Sequence, residues 1–291
     1  MKKKHLSGNG HTGGVRMAVV VQAVIPAAGQ GTRMLPATTV LPKELLPLVD
    51  RPMIEYAVEE AIASGITDIA VVINSAKLQI KEHLTRRFAG VRFAFAFQEE
   101  ARGLGHAVSC AAGSLGDRPF AILLPDEIFV DTRPCLRQLL DVFEPVHGGV
   151  LAVRQVPRAT IGRYGVVAGD ACGSGLIKVT DLVEKPKPEA APSDLAIVGR
   201  YVVHPDLLPI LQQTVPGVKG EIQLTDALRT LNERRPLFAQ VFAGRRYDVG
   251  NTRDYLRANL ELGLQSEEYG DDLVAAVRAG IRRSRERRAR P

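Results

Sequence analysis

The stretch Ile25-Pro26-Ala27-Ala28-Gly29-Gln30-Gly31-Thr32-Arg33-Met34-Leu35-Pro36, followed a few residues later by Lys43, decides how this chain folds. An apolar run, Ala18 to Val24, leads into it and reads as a buried strand. The glycines let the backbone wrap closely around a ligand, and successive N–H groups beyond a strand end form an anion nest. The backbone of Ala28, Gly29 and Gly31 is therefore a candidate phosphate cradle, with Arg33 and Lys43 supplying positive charge.

Familiar glycine motifs do not fit. A dinucleotide fingerprint needs a third small residue for helix–strand packing, and Met34 occupies that place, so Asp50 is a decoy for a ribose carboxylate. A phosphate loop ending in Gly-Lys-Ser/Thr is absent. On its own, the glycine pair fits a plain strand–turn–helix equally well.

Composition narrows the class. A chain of 291 residues with 45% hydrophobic and 24% charged content suits one large α/β domain with additions, or two domains. The isoelectric point near 9.3 suggests nucleic acid, but the charge is terminal. Residues 1–16 carry +4 and 278–291 carry +6 against a chain total of +6, leaving an acidic body at −4. Neither nucleic acid nor a membrane is an expected partner, and the basic tails read as solvated disorder. Cys110, Cys135 and Cys172 lack CxxC spacing and are odd in number, which fits a reducing cytoplasm. The Lys run before Met17-Ala-Val-Val-Val mimics a signal peptide, yet its apolar segment leads directly into the glycine loop. No run approaches the roughly 20 apolar residues of a bilayer span. Met17 reads as the functional start, after an upstream extension.

Along the chain, 51–65 has helix grammar, with Pro52 in the first turn and Gly65 at the stop. Asp68 to Ile73 is the next strand, so a right-handed parallel unit begins here. A helix over 76–88 and a strand over 91–97 follow. That strand ends at Gln98, and Gly103-Leu104-Gly105-His106 opens a helix. Glycines there let a flat ring lie against the backbone, while the Gln98 amide either reads a base edge or is a plain loop amide. His106 is equally readable as a helix N-terminal residue without chemistry. Phe120 to Leu124 is a buried-type strand delivering Asp126, and ligands of open parallel sheets sit at such carboxyl ends. Asp126 is thus the leading metal carboxylate. A helix over 133–142 and a strand over 149–154 follow, and then 161–167 and 176–184 form an antiparallel insertion. Glu184 and Lys185 close it, either as a linker ion pair or as sugar and sugar-phosphate contacts. The remainder reads as a strand over 195–203, helices from about 206 and 220, a strand over 238–242 and helices over 253–264 and 271–283. Glu221 and Gln223 read either as sugar contacts or, by preference, as caps of the helix they precede.

Taken together, 29–38, 42–50, 103–107, 124–126, 164–167, 183–186 and 220–226 resemble, in order, the motifs of the sugar-phosphate nucleotidylyltransferases, most closely the bacterial branch acting on UTP and glucose 1-phosphate. The resemblance implies an α/β, Rossmann-like three-layer nucleotidyltransferase fold (glycosyltransferase-A-like), with a mostly parallel central sheet and a small antiparallel insertion. It covers Val21 to about Gly263 and implies a nucleotidyltransferase domain over 17–267; the basic tail over 1–16 and the C-terminal helix and basic tail over 268–291 lie outside it.

The implied reaction is in-line attack of a sugar 1-phosphate on the α-phosphorus of UTP. By matching motif, Arg33 and Lys43 hold the nucleotide phosphates, Gln98 and Gly103 the uracil, Glu184 and Gly165 the glucose, and Lys185 its phosphate. Asp126 and Asp248 hold one Mg²⁺. A dimer or tetramer is expected. Thr39 and Val249 depart from the family pattern, where Lys and Cys are common. A sister enzyme using dTTP or another sugar phosphate, and a non-catalytic nucleotide-sugar-binding paralogue, are the rival readings.

Overall fold

A computed structural model describes residues 20–146 and 148–288. The expected tail over 1–16 lies outside them. The glycine loop hangs from β1 (Gln22–Pro26) and leads through a small hairpin, β2 (Pro47–Leu48) and β3 (Arg51–Pro52), into α1 (Met53–Ala63). Then come β4 (Asp68–Ile73), α2 (Leu78–Arg87), β5 (Arg92–Phe97), α3 (Leu104–Cys110), β6 (Phe120–Leu123), β7 (Glu127–Val130) and α4 (Cys135–Val146). The second half holds β8 (Gly149–Gln155), β9 (Gly165–Gly173), β10 (Leu176–Glu184), β11 (Leu195–Val203), α5 (Leu207–Gln213) and α6 (Leu224–Arg234). It ends with β12 (Leu237–Val241), β13 (Arg245–Asp248), α7 (Thr252–Gly263) and α8 (Gly270–Arg288).

Nine strands form one sheet in the order β5-β4-β1-β6-β11-β8-β12-β10-β9. Strand alternation sends Ala23 and Ile25 to one face, where α1, α2 and α4 pack, and Val24 to the other, where α3, α5 and α6 pack. Helices thus cover both faces, and β6 is buried throughout and β11 nearly so.

The expected mostly parallel sheet is corrected to a mixed one. β5, β4, β1 and β6 are parallel, but β11 runs antiparallel to both β6 and β8, and β10 is antiparallel to β12 and β9. The expected antiparallel insertion is likewise not separate. Its two strands are the far edge of the main sheet, and β9 returns to pair with β11 at Ala196↔Val166. That half of the sheet curls back on itself, carrying Gly165 and Glu184 toward the end of β6.

A two-stranded pairing that the sequence did not reveal decides the site. β7 and β13 are antiparallel, with Glu127 opposite Asp248, and Val249 N–H donates to Asp126 O at 2.9 Å. The helix expected over 133–142 extends to Val146, and that expected from 220 starts at Leu224. Among the described residues no helix is long and apolar enough to cross a membrane, and Cys110, Cys135 and Cys172 are free thiols.

Candidate active site

The glycine loop is held from behind. Lys77 Nζ, on the turn between β4 and α2, donates to Ala27 O at 2.8 Å, Gly29 O at 2.5 Å and Glu44 Oε2 at 2.8 Å. Asn74 Nδ2 donates to Ala28 O at 3.1 Å. With three consecutive carbonyls tied down, the trans N–H groups of Ala28, Gly29 and Gln30 point away from this clamp. These residues line a cleft of about 480 Å³ that also contains Arg33, Lys43, Gln98, Gly103 and Lys185. Gly31 has φ 68°, and a Cβ there would lie 3.0 Å from Thr38. Lys77 is only 7% exposed. Burial lowers its pKa, against the pull of Glu44.

Across the cleft, Gln98 is buried, and its Nε2 donates to Gly103 O at 3.0 Å and to His106 Nδ1 at 2.9 Å. Both amide protons are consumed, so Oε1 is left as the acceptor. His106 therefore has a role that its sequence position did not disclose. Burial, with help from Arg102, keeps its pKa below the ordinary value, which favours the neutral ring that can accept at Nδ1. Gly103 has φ 98°, and a Cβ would fall 2.8 Å from Ile222 O. This approach, with Ile222 N–H donating to Arg102 O at 2.8 Å, brings the 220–223 segment beside the loop. Neither Glu221 nor Gln223 caps α6 with its side chain, contrary to expectation; Gln223 Nε2 instead donates to Val218 O at 3.0 Å.

At the carboxyl end of β6, Asp126 Oδ2 accepts from Lys43 Nζ at 2.6 Å, with Arg33 at 3.9 Å. Burial raises the Asp126 pKa, but Lys43 outweighs it and the net shift is downward. Asp248, carried in by the β7–β13 pairing, accepts from Arg163 at 3.2 Å. A Cβ on Gly250 would lie 2.8 Å from Asp126 Oδ2 and 3.2 Å from Asp248 Oδ1, so both carboxylates flank one point. Each is currently neutralised by a side-chain cation.

The third wall lies at the curled sheet edge. Glu184 Oε2 accepts from Thr225 Oγ1 at 2.6 Å, and Lys185 Nζ lies 2.8 Å from Glu184 Oε1. A Cβ on Gly165 would lie 2.7 Å from Thr225 Oγ1 and 3.2 Å from Glu184 Oε2. Gly165, Glu184 and Thr225 line a second cleft of about 170 Å³, which shares Arg33, Leu104, Leu124 and Asp126 with the first, while Lys185 borders the first. Every site residue singled out in the sequence thus borders one of two joined clefts. Thr39 is exposed and donates only to Pro36 O, at 2.7 Å, while Val249 is buried against the β7–β13 pair. Asn74, Lys77, Arg163 and Thr225 were missed, and His106 was left open between a role and none. His106 and Thr225 lay inside quoted motifs; the rest reach the site through tertiary contacts.

A family model described as nucleotidyl transferase matches residues 22–264. The UTP–glucose-1-phosphate uridylyltransferase of Bacillus subtilis (strain 168) is 42% identical over 280 residues, covering 89% of this chain and 96% of that protein. The crystal structure of a UDP-glucose pyrophosphorylase complexed with UDP-glucose superposes with a TM-score of 0.81 at 35% identity, covering 85% of this chain and all of that one. A UTP-bound UGPase from Acinetobacter baumannii gives a TM-score of 0.79 at 32% identity, covering 89% of this chain and 99% of that one. With the family model spanning most of its length and a relative at 42% identity along nearly all of it, this chain belongs to the nucleotidyl transferase family.

Proposed function

We propose that this chain transfers a uridylyl group from UTP to α-D-glucose 1-phosphate, giving UDP-glucose and pyrophosphate. The observation that carries this reading is the junction of the two clefts at Arg33 and Asp126. A nucleotide bound along the glycine loop would present its α-phosphorus there, to an oxygen of a sugar phosphate held beside Lys185. The named relatives support the same substrates.

Each residue has a chemical part. Gln98 Oε1, its amide protons already spent, accepts from the N3–H of uracil. Gly103 has no side chain to displace the ring. Backbone N–H groups of the Ala28–Gly31 loop, with Arg33 and Lys43, carry the triphosphate charge. Glu184, steadied by Thr225, accepts from sugar hydroxyls, and Lys185 meets the sugar phosphate as a mobile point charge. The sugar phosphate oxygen attacks the α-phosphorus in line and pyrophosphate departs. No covalent intermediate on the protein is required, so catalysis is positioning and charge neutralisation.

Asp126 and Asp248 would hold Mg²⁺. Their oxygens suit a hard cation, and both flank the point beside Gly250. Among the described residues no group of three or more His, Cys, Asp or Glu side chains is placed to hold a metal. The fit is therefore to a two-carboxylate site completed by phosphate and water. Bound there, the ion supplies charge neutralisation on the transferring phosphoryl group.

The same reading assigns catalysis to a three-layer, glycosyltransferase-A-like domain over 17–267, with 268–291 appended. It places the protein in the cytoplasm as a dimer or tetramer, a state that light scattering measures. Pyrophosphate release, measured while crossing UTP and dTTP with several sugar 1-phosphates, tests the assignment. Highest kcat/KM is expected for UTP with glucose 1-phosphate. A better pair would replace the substrates and keep the reaction, whereas no release with any pair would favour the non-catalytic paralogue.

A further inference from the structure

Arg200, on β11, has none of its surface exposed and touches neither cleft. Its guanidinium has five N–H donors, and all are used. Nε donates to Glu60 Oε2 at 3.0 Å, and NH2 to the same oxygen at 2.8 Å. NH2 also donates to Glu127 O at 2.9 Å, and NH1 donates to Leu124 O at 2.9 Å and Gly199 O at 2.8 Å. The cation lies 4.5 Å from the centre of the Phe129 ring.

Two of those acceptors, Leu124 O and Glu127 O, bracket Asp126 in the chain. Leu124 N–H in turn donates to Gly199 O at 2.9 Å, and a Cβ on Gly199 would fall 2.7 Å from Leu124 Cβ. The turn that presents Asp126 is thus held by one planar cation and pressed against a glycine. Glu60 sets the cation in place, and its Oε1 accepts from Leu136 N–H at 2.8 Å, anchoring the network in α1 and α4.

A charge buried this deeply is costly unless every donor is met. Hydrophobic packing could join β6 to β11 without it. What packing cannot do is fix two carbonyls on either side of one carboxylate in a single plane. We propose that Arg200 is a positioning residue that orients Asp126 for the divalent cation. This rests on the reading of Asp126 as a metal carboxylate. Lysine cannot substitute: its three donors on one nitrogen reach one side of the turn only.

The test uses the full chain saturated with UDP-glucose, titrated with Mn²⁺, with the free ion followed by electron paramagnetic resonance. Outer partners of metal ligands typically change metal affinity about 10- to 100-fold. Arg200→Lys is expected to weaken Mn²⁺ binding by about 10-fold or more and to lower kcat similarly, leaving KM for glucose 1-phosphate within about twofold of the parent. Glu60→Gln, which keeps an acceptor and removes the countercharge, is expected to move both in the same direction by a smaller factor, and it carries the test if Arg200→Lys does not fold. All measurements are made well below each variant's melting temperature. Parent-like Mn²⁺ affinity and kcat in a folded variant with a lowered melting temperature would overturn the proposal and leave Arg200 a structural residue. Asp126→Asn is the control. If it too binds Mn²⁺ normally, the metal assignment fails; if it alone loses binding, only the role of Arg200 fails.

Discussion

Lys43 Nζ sits 2.6 Å from Asp126 Oδ2, joining the segment after the glycine loop to the carboxyl end of β6. Burial disfavours the Lys43 charge, but Asp126 and Glu44 beside it outweigh burial and raise its pKa. The ammonium therefore persists at neutral pH beside the Asp126 carboxylate, where the proposed reading brings the nucleotide phosphates. Asp126→Asn keeps the side chain's shape and removes its charge, freeing Lys43. Turnover in pyrophosphate release is expected to fall on the order of 100-fold or more, with a folded protein whose melting temperature is lowered by the loss of the Lys43 partner. Near-normal turnover would remove Asp126 from the reacting centre.

Lys185 has the left-handed φ of 45° that side chains usually avoid, and Tyr164 O accepts from its N–H at 3.0 Å. That backbone turns the side chain onto Glu184 at 2.8 Å, on the border of the larger cleft. Lys185→Ala is expected to raise KM for glucose 1-phosphate about 10-fold or more, a loss of roughly 1.4 kcal/mol of binding, and to leave KM for UTP nearly unchanged. An effect confined to UTP would reassign this lysine to the nucleotide.

If Gln98 meets the uracil edge as proposed, His106 gives that contact a pH dependence. The neutral ring accepts from Gln98 at Nδ1, and burial holds its pKa below the usual value. The ring is therefore neutral at pH 7 and gains Nδ1–H only on acidification below about 6.5, the ordinary histidine value. Two donors then face each other, and the amide must turn, replacing Oε1 with N–H at the base edge. KM for UTP should rise as pH falls through that range, with kcat changing less. In His106→Asn, which does not titrate, the acid limb should flatten; an unchanged limb would assign it to another group.

Much of the site was legible because its parts are local. The glycine loop, Gln98 and Asp126 each sit at the end of an apolar run, where a parallel sheet presents ligands, and the Glu184-Lys185 pair closes an alternating strand that was read as one half of an antiparallel pair. Asp248 was legible only by resemblance. Its place depends on β7, whose Glu127-Ile-Phe-Val continues the apolar character of β6 and gives no sign of pairing with β13. The mixed sheet was hidden for a related reason. β11 is buried along nearly all its length, and such a run has the same composition whichever way its neighbours point. Buried cations were the least visible. Lys77 opens an amphipathic helix and Arg200 interrupts an apolar strand, and both residue types are exposed by default.

Lys77 shows what such a buried cation holds. Its ammonium has three donors, met by Ala27 O, Gly29 O and Glu44 Oε2. Lys77→Met keeps the apolar stem and removes the head, leaving loop carbonyls loose and Glu44, 2% exposed, without its countercharge. Breaking a buried pair from one side costs about 3–5 kcal/mol, to be read from denaturant unfolding. Adding Glu44→Gln removes the stranded charge, so the double variant should be more stable than Lys77→Met alone, although it still lacks the carbonyl clamp. KM for UTP should be raised in both variants, because the N–H groups of Ala28–Gln30 are aimed by those carbonyls. If the double variant recovered both stability and UTP affinity, Lys77 would be only a partner for Glu44, and the loop would hold its shape unaided.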